Sequence, residues 1–335
     1  MDTPATVVVV QRERFSHSAA SLESLYENTA LAFKLVYIDC KSPPPIRHYL
    51  EAQAREKGFR LIRTEEFLTP NQARNLGQAQ VDTRYVVFAD NDIAVSPGWL
   101  EKLVECVEQT GAWVVGPLYL EGKLDDGIIH MAGGQAHFHQ QPGQRHFRGA
   151  RHLAGRRISD VRSKLKREPV ETMEFHCMLV RNDVFDTLGP LDEMFMSISE
   201  QQDFCLAVRE VGGSVYLEPE VHVSYDVALP LERLDLPFFF QRWSDARGRA
   251  TVGRMREKWR LSDDDPFLAR MSEFSWRHRL RFVRLWFPGL RSPVKRQLAA
   301  PLAIMTERLL NRLLGRGPAA QTSKDAAKLE CYSGN

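Results

Sequence analysis

A chain of 335 residues with 43% hydrophobic residues, 26% charged residues and a formal net charge of +2 has the composition of a soluble globular protein, with room for one large domain or two. The near-neutral balance argues against a general nucleic-acid binder, and no uncharged stretch reaches bilayer-spanning length. The five cysteines are odd in number and scattered, with no CxxC pair, so they read as reduced thiols of a cytosolic compartment, not as a disulfide frame or a zinc site. Residues 6–10 follow no cationic segment and are too short a run for a signal peptide.

That run, Thr6 followed by four valines, reads as the first buried strand. A helix follows from Ser21, with Leu22, Leu25 and Tyr26 on one face. Residues 33–38 form a second strand ending in Asp39, and three prolines then precede a helix over 46–57 that Gly58 stops. Residues 59–63 are a third strand, and Thr69-Pro70 caps a helix carrying Ala73, Arg74, Asn75, Leu76 and Gly77. The apolar residues 85–88 form a buried central strand that runs into Asp90-Asn91-Asp92. This alternation of strand and helix predicts an α/β series with right-handed crossovers. Beyond Ser96-Pro97-Gly98 come a helix over 99–107 and a strand over 112–116. Residues 120–169 are irregular, hold five of the ten histidines, and suit a long loop or a pair of hairpins over the sheet edge. A strand over 175–180, a turn over 188–193, a helix over 199–209 and a short strand over 215–217 complete the series.

Asp90 and Asp92 leave the central strand where open α/β sheets bind their ligands, and the period of two puts both on one side of the chain. Paired oxygen ligands there suit a hard divalent cation, Mg²⁺ or Mn²⁺, holding a diphosphate; a solvated turn is the plain alternative.

Taken in order, Ser21 to Leu25, Asp39, Ala73 to Gly77, Val87 to Asp92, His130 to Gly134, Leu179 to Arg181, Leu188 to Glu193 and Glu200-Gln201-Gln202-Asp203 resemble the inverting glycosyltransferases of family 2. The likeness covers about residues 5–225. It implies a GT-A fold, a Rossmann-like mixed, mostly parallel sheet flanked by helices, over residues 1–235. It also implies a nucleotide-diphosphate-sugar donor, a divalent cation, and a glycan or lipid-linked acceptor. By that resemblance Asp90 and Asp92 hold the metal and diphosphate, Asp39 the nucleobase or ribose, and Arg74 and Asn75 lie near the diphosphate. The family's acidic pair is Glu-Asp-x-Asp, and here Gln201 stands where the base is usual. Glu200 becomes the expected general base, with Asp203 as a second possibility, and helix-end acids remain the alternative for both. The usual slot of the family's late metal-binding histidine holds Tyr225, and His222 is the replacement ligand to be tested. The histidines over 130–152 lack zinc spacing and read as loop residues. A nucleotidyltransferase would need a glycine-rich loop after the first strand, which Gln11 to Phe15 does not supply, whereas Gln201 keeps open a catalytically silent glycan-binding or scaffold module.

Residues 236–317 read as a helical extension. Phe238, Phe239, Phe240 and Trp243 suit core packing or a wall of the acceptor site. Residues 276–316 carry ten Lys and Arg against one acid, Glu307, interleaved with Leu280, Phe282, Leu285, Trp286 and Phe287. That pattern suits an anionic membrane surface, peripheral and on the cytoplasmic side, or a solvated basic face. Residues 318–335 have the composition of a disordered tail.

Overall fold

The computed structural model describes residues 3–12, 14–125, 127–225, 231–284, 286, 293–315 and 330–332. Among the described residues, thirteen strands and eleven α-helices follow one another. They are β1 (Ala5–Val10), α1 (Ser18–Glu27), β2 (Phe33–Cys40), α2 (Pro44–Lys57), β3 (Arg60–Thr64), α3 (Pro70–Gln78), β4 (Tyr85–Asp90), β5 (Ile93–Val95), α4 (Trp99–Thr110) and β6 (Val114–Glu121). Next come β7 (Ile128–Met131), β8 (Gly134–Gln141), β9 (Gln144–Arg151), α5 (Ile158–Val161), β10 (Glu168–Val170), β11 (Cys177–Arg181), α6 (Val184–Leu188), α7 (Glu200–Glu210) and β12 (Val215–Tyr225). The chain ends in α8 (Leu236–Arg242), α9 (Asp245–Trp259), α10 (Pro266–Arg284), α11 (Pro293–Leu314) and β13 (Glu330–Tyr332).

An eleven-stranded sheet in the order β10-β12-β6-β11-β4-β1-β2-β3-β13, with β5 on β12 and β7 on β6, forms the frame. It is the expected mixed, mostly parallel sheet. β1 lies parallel between β2 and β4, and β2 is parallel to β3, while β11 is antiparallel to both β4 and β6. All six residues of β1 and of β4 are buried, as strands with paired neighbours and covered faces require. Val10 is in register with both Ile38 and Asp90, so β1 and β4 end at one level and β2 runs two residues further. That level is the carboxyl edge of the sheet, where Arg12, Asp39 and Asp90 leave their strands.

Local chemistry sets the helix ends. Thr69 and Gln72 form a reciprocal capping box with Pro70 at the first turn of α3, and Gly58, at φ 71°, closes α2 in the left-handed region. Gly77 lets α3 lie against β1, because a Cβ there would sit 2.3 Å from Val8 Cγ1.

Two departures from the sequence reading matter, together with two points on which it had left alternatives open. The irregular 120–169 stretch is largely ordered: β7 joins the main sheet, and β8 and β9 pair as a separate hairpin. That hairpin packs Phe138 and Phe147 against Trp259, Phe267 and the helices α9 and α10. The short strand expected over 215–217 is an eleven-residue β12, whose register on β6 shifts between Glu218 and His222, so Pro219 sits at an irregularity that needs no ladder donor. Phe239, Phe240 and Trp243 are core, packed with Leu280, Phe282 and Val283 of α10. Of the tail expected to be disordered, residues 330–332 pair antiparallel with β3, whose outer edge would otherwise present open backbone groups; the rest of 318–335 lies outside the described residues. Also outside them, in whole or in side chain, are Leu285, Phe287, Arg291, Lys295, Arg296 and Arg316.

Candidate active site

Asp90 ends β4 buried, at 2% exposure, and is surrounded by positive groups. His176 Nδ1 lies 2.9 Å from its Oδ2, Arg12 Nη1 3.5 Å from Oδ2, and Arg74 Nη2 3.5 Å from Oδ1. Burial alone would raise the Asp90 carboxyl, but the His176 bond and the Arg12, His176 and Arg74 charges outweigh it and hold the group below its usual range. Asn91, the middle residue of the acidic triplet, fastens the chain leaving β1: it accepts from the Arg12 backbone N–H and donates to Arg14 O and Ser18 Oγ. Those bonds place Arg12 over Asp90. Asp92, 8% exposed, lines a cavity of about 190 Å³ together with Ser21, Ser224 and Tyr225.

Arg74 projects from α3 and is fully buried. Its guanidinium stacks 4.1 Å from the Phe175 ring and reaches Glu200 Oε1 at 3.7 Å. Burial pulls it down from its ordinary value while Asp90 and Glu200 push it back up. Glu200 opens α7 at 5% exposure, and Arg242 of α8 approaches the same oxygen at 3.5 Å. The other oxygen, Oε2, is buried and has no hydrogen-bond partner among the described residues. Ser199, just before it, takes φ 63°, a left-handed conformation that a serine adopts at a cost of about 1–3 kcal/mol and that turns Glu200 into the site. Three guanidiniums thus face two carboxylates contributed by β4 and α7.

The remaining sequence candidates are engaged elsewhere. Asp203 accepts from Lys258 Nζ at 2.7 Å and from Trp259 Nε1 at 2.9 Å, which ties α7 to α9; burial raises its carboxyl in spite of Lys258. Asn75 bonds Leu191 through both its amide atoms and Glu193 through Nδ2, so it holds the 188–193 turn onto α3. Asp39 is fully buried, accepting from Arg63 Nη1 at 2.5 Å and from the Ser42 backbone N–H at 2.9 Å. His222 Nδ1 lies 2.9 Å from the carbonyl of Leu124, and burial lowers its imidazole. Asp90, Asp92 and His222 do not converge as a three-ligand set among the described residues. A divalent cation on Asp90 would have to displace the guanidiniums of Arg12 and Arg74, each 3.5 Å from its carboxylate.

Donor atoms do converge on His130, Glu174 and His176, all within 4.8 Å of one another. Tyr225 stacks on His176 at 4.3 Å between ring centroids. Glu174, His176, Arg12 and Arg242 are the site residues that the sequence reading missed, and it placed His130 in a loop. The one local signal was the Glu174-x-His176 pair, which lies at the turn just before β11. Their meeting with Asp90 depends on β11 pairing antiparallel with β4, Cys177 opposite Ala89, which no local pattern encodes.

The family model described as Glycosyl transferase family 2 matches residues 6–189, more than half of the chain. The chain belongs to glycosyl transferase family 2. Human polypeptide N-acetylgalactosaminyltransferase 15 is 24% identical to this family 2 chain over 255 residues, 70% of the chain and 38% of that relative, so the chain spans well under half of the relative's length. The crystal structure of GalNAc-T7 with UDP, GalNAc and Mn²⁺ superposes with a TM-score of 0.52 at 18% identity, covering 83% of this chain and 54% of that one. That likeness shows a shared fold, the GT-A arrangement. S. aureus TarS 1-349 gives a TM-score of 0.48 at 13% identity, over 99% of this chain and 97% of that one.

Proposed function

We propose that the protein transfers a sugar from a nucleotide-diphosphate-sugar to a hydroxyl of a glycan or lipid-linked acceptor, with inversion. The observation that carries this reading is the meeting of Arg12, Arg74 and Arg242 with Asp90 and Glu200 at the carboxyl edge of the sheet. The three guanidiniums present N–H donors of the kind that suit an anionic diphosphate. As the glycosidic bond breaks, negative charge grows on the leaving diphosphate, and these guanidiniums are fixed by burial where they can offset it without reorganising. Glu200 Oε2 has no hydrogen-bond partner among the described residues, so it is the atom to accept the acceptor's hydroxyl proton as that oxygen attacks the anomeric carbon. Gln201 cannot take a proton, which leaves this task to its neighbour.

Two finer readings belong to the proposal. α11 exposes Leu302, Met305, Leu309 and Leu313 at 53–67%, spaced to share one face, and the exposed Arg308 and Arg312 flank them. Such a stripe suits the anionic cytoplasmic face of a membrane, to which the protein would bind peripherally. No helix among the described residues is long and apolar enough to cross a membrane. Cys40, Cys106, Cys177 and Cys205 are free and buried.

Glu200→Gln tests the assignment. It preserves shape and removes the proton acceptor, so the transfer rate falls by about 10²–10⁴-fold while the Kd for the donor changes little. Near-normal transfer by a folded Glu200→Gln protein contradicts the role.

A further inference from the structure

His130 on β7 and His176 before β11 turn the same ring nitrogen toward the same carboxylate oxygen. Glu174 Oε2 lies 3.0 Å from His130 Nε2 and 3.1 Å from His176 Nε2. The opposite nitrogens each meet a separate carboxylate: His130 Nδ1 is 3.0 Å from Glu121 Oε1, and His176 Nδ1 is 2.9 Å from Asp90 Oδ2. A histidine whose Nδ1–H is held by a carboxylate, with Nε2 aimed inward, is the usual way a protein orients an imidazole toward a metal. In both histidines Nδ1 faces a carboxylate and Nε2 faces Glu174, and each Nδ1 has a further neighbour, Arg12 Nη1 at 2.6 Å for His176 and the Tyr225 hydroxyl at 2.8 Å for His130.

The surroundings are rigid. Asp90, Glu121 and His130 sit on β4, β6 and β7, strands of one sheet, and Tyr225 on β12 stacks on His176 while its hydroxyl lies 2.8 Å from His130 Nδ1. Bonds of about 2.1 Å in a tetrahedral site separate ligand atoms by about 3.4 Å, so the two histidine contacts to Glu174 need to open by only a few tenths of an ångström, and the three ligand atoms already lie within 4.8 Å of one another.

We propose that His130 Nε2, His176 Nε2 and a carboxylate oxygen of Glu174 bind one divalent transition-metal ion, with Glu121 and Asp90 orienting the two imidazoles. The cation site is thereby moved from the acid pair of the strand exit to a pair of histidines one step away, with Asp90 as the hinge between the two. Two imidazoles and one carboxylate favour a borderline ion, Zn²⁺ or Mn²⁺, over Mg²⁺, which prefers an all-oxygen shell. Arg12 and Arg151 also face the rings, with Nη1 atoms 2.9 Å from His176 Nε2 and from His130 Nε2. The ion displaces those guanidiniums, which makes the site weaker than a structural zinc centre. The proposal does not depend on the transfer reading, because metal binding is measured without turnover.

The test uses the full chain, stripped with EDTA and desalted, then titrated calorimetrically with Zn²⁺, Mn²⁺ and Mg²⁺, with retained metal counted by mass spectrometry. The expected result is one equivalent of Zn²⁺ or Mn²⁺ and at least tenfold weaker Mg²⁺ binding. His130→Asn and Glu174→Gln each lose the tight equivalent, Glu121→Gln weakens it by about 10–100-fold, and Asp92→Asn leaves it unchanged. Co²⁺ substitution adds a second readout: visible d–d bands in the wild type, absent in His130→Asn. Circular dichroism establishes that each variant is folded, and Glu121→Gln, at the half-exposed end of the network, serves where a buried variant fails. Failure of the stripped chain to take up an equivalent of Zn²⁺ or Mn²⁺ overturns the proposal. So does retention of that equivalent by the folded His130→Asn/His176→Asn protein, or its loss on Asp92→Asn alone.

Discussion

Asp90 and Asp92 stand one residue apart and keep different company. Asp90 is enclosed by Arg12, Arg74 and His176, whereas Asp92 lines the small cavity beside Ser224 and Tyr225. Glu200 and Asp203 diverge in the same way: Glu200 is directed at Arg74 and Arg242, and Asp203 is spent on Lys258 and Trp259. Asp203→Asn therefore acts on stability. Weakening two buried bonds costs about 1–3 kcal/mol, read as a lower Tm, with transfer per folded molecule within a few-fold of normal. Full stability with abolished transfer would instead make Asp203 the base. Gln201→Asp adds a carboxylate beside Glu200 and is expected to be mild or activating in the same assay. Asp90, Arg74 and Glu200, which the resemblance had named, lie together at the carboxyl edge of the sheet. The sequence reading could not reach Arg242 or His176, whose partners stand 42 and 86 positions away and are brought close only by the folded sheet and α8.

At the scale of elements, α3 and α8 hold the site together from opposite sides. α3 presses on β1 through Gly77 and clamps the 188–193 turn with Asn71 and Asn75. Gly77→Ala puts a methyl against Val8, and the overpacking is expected to cost about 1–3 kcal/mol, measurable by urea denaturation; an unchanged midpoint would show that the helix can shift freely. α8 packs Phe238 against both Phe15 and Phe67, with ring centroids 5.2 Å from each, and Asp235 just before it accepts from the Ser16 backbone N–H and hydroxyl. Phe238→Ala opens a cavity under the helix that carries Arg242, so it should lower stability by about 3–5 kcal/mol and weaken donor binding as well. Loss of stability with donor affinity intact would separate α8 from the site. The βαβ half was legible because β-branched runs, prolines and glycines punctuate it. The sequence reading ended β12 at residue 217, because a register shift in the ladder is invisible without the partner strand.

For the whole molecule, the C-terminal helices belong to the packed structure. Arg279, buried at 1% exposure, pairs with Glu307 at 2.6 Å and with Asp245 at 2.7 Å, joining α9, α10 and α11. Truncation near residue 276 would expose that core, so the membrane reading is better tested by point changes. Replacing Leu302, Met305, Leu309 and Leu313 together by Gln is expected to abolish binding to anionic vesicles and leave Tm nearly unchanged, since all four are exposed. Equal vesicle binding by wild type and variant removes the membrane surface from the account. The basic character of this region was plain in the sequence, but its division between a buried Arg279 and an exposed Arg308 and Arg312 required the packing. The claim on which the rest depends is that the carboxyl edge of the sheet binds and turns over a nucleotide-sugar. The most direct measurement presents the full chain with a panel of nucleotide-sugars, follows Tm, and then follows nucleoside diphosphate release with an acceptor present. The account predicts that at least one donor raises Tm and releases its nucleoside diphosphate, with an inverted anomer in the product by NMR, whereas no shift and no release across the panel would contradict it.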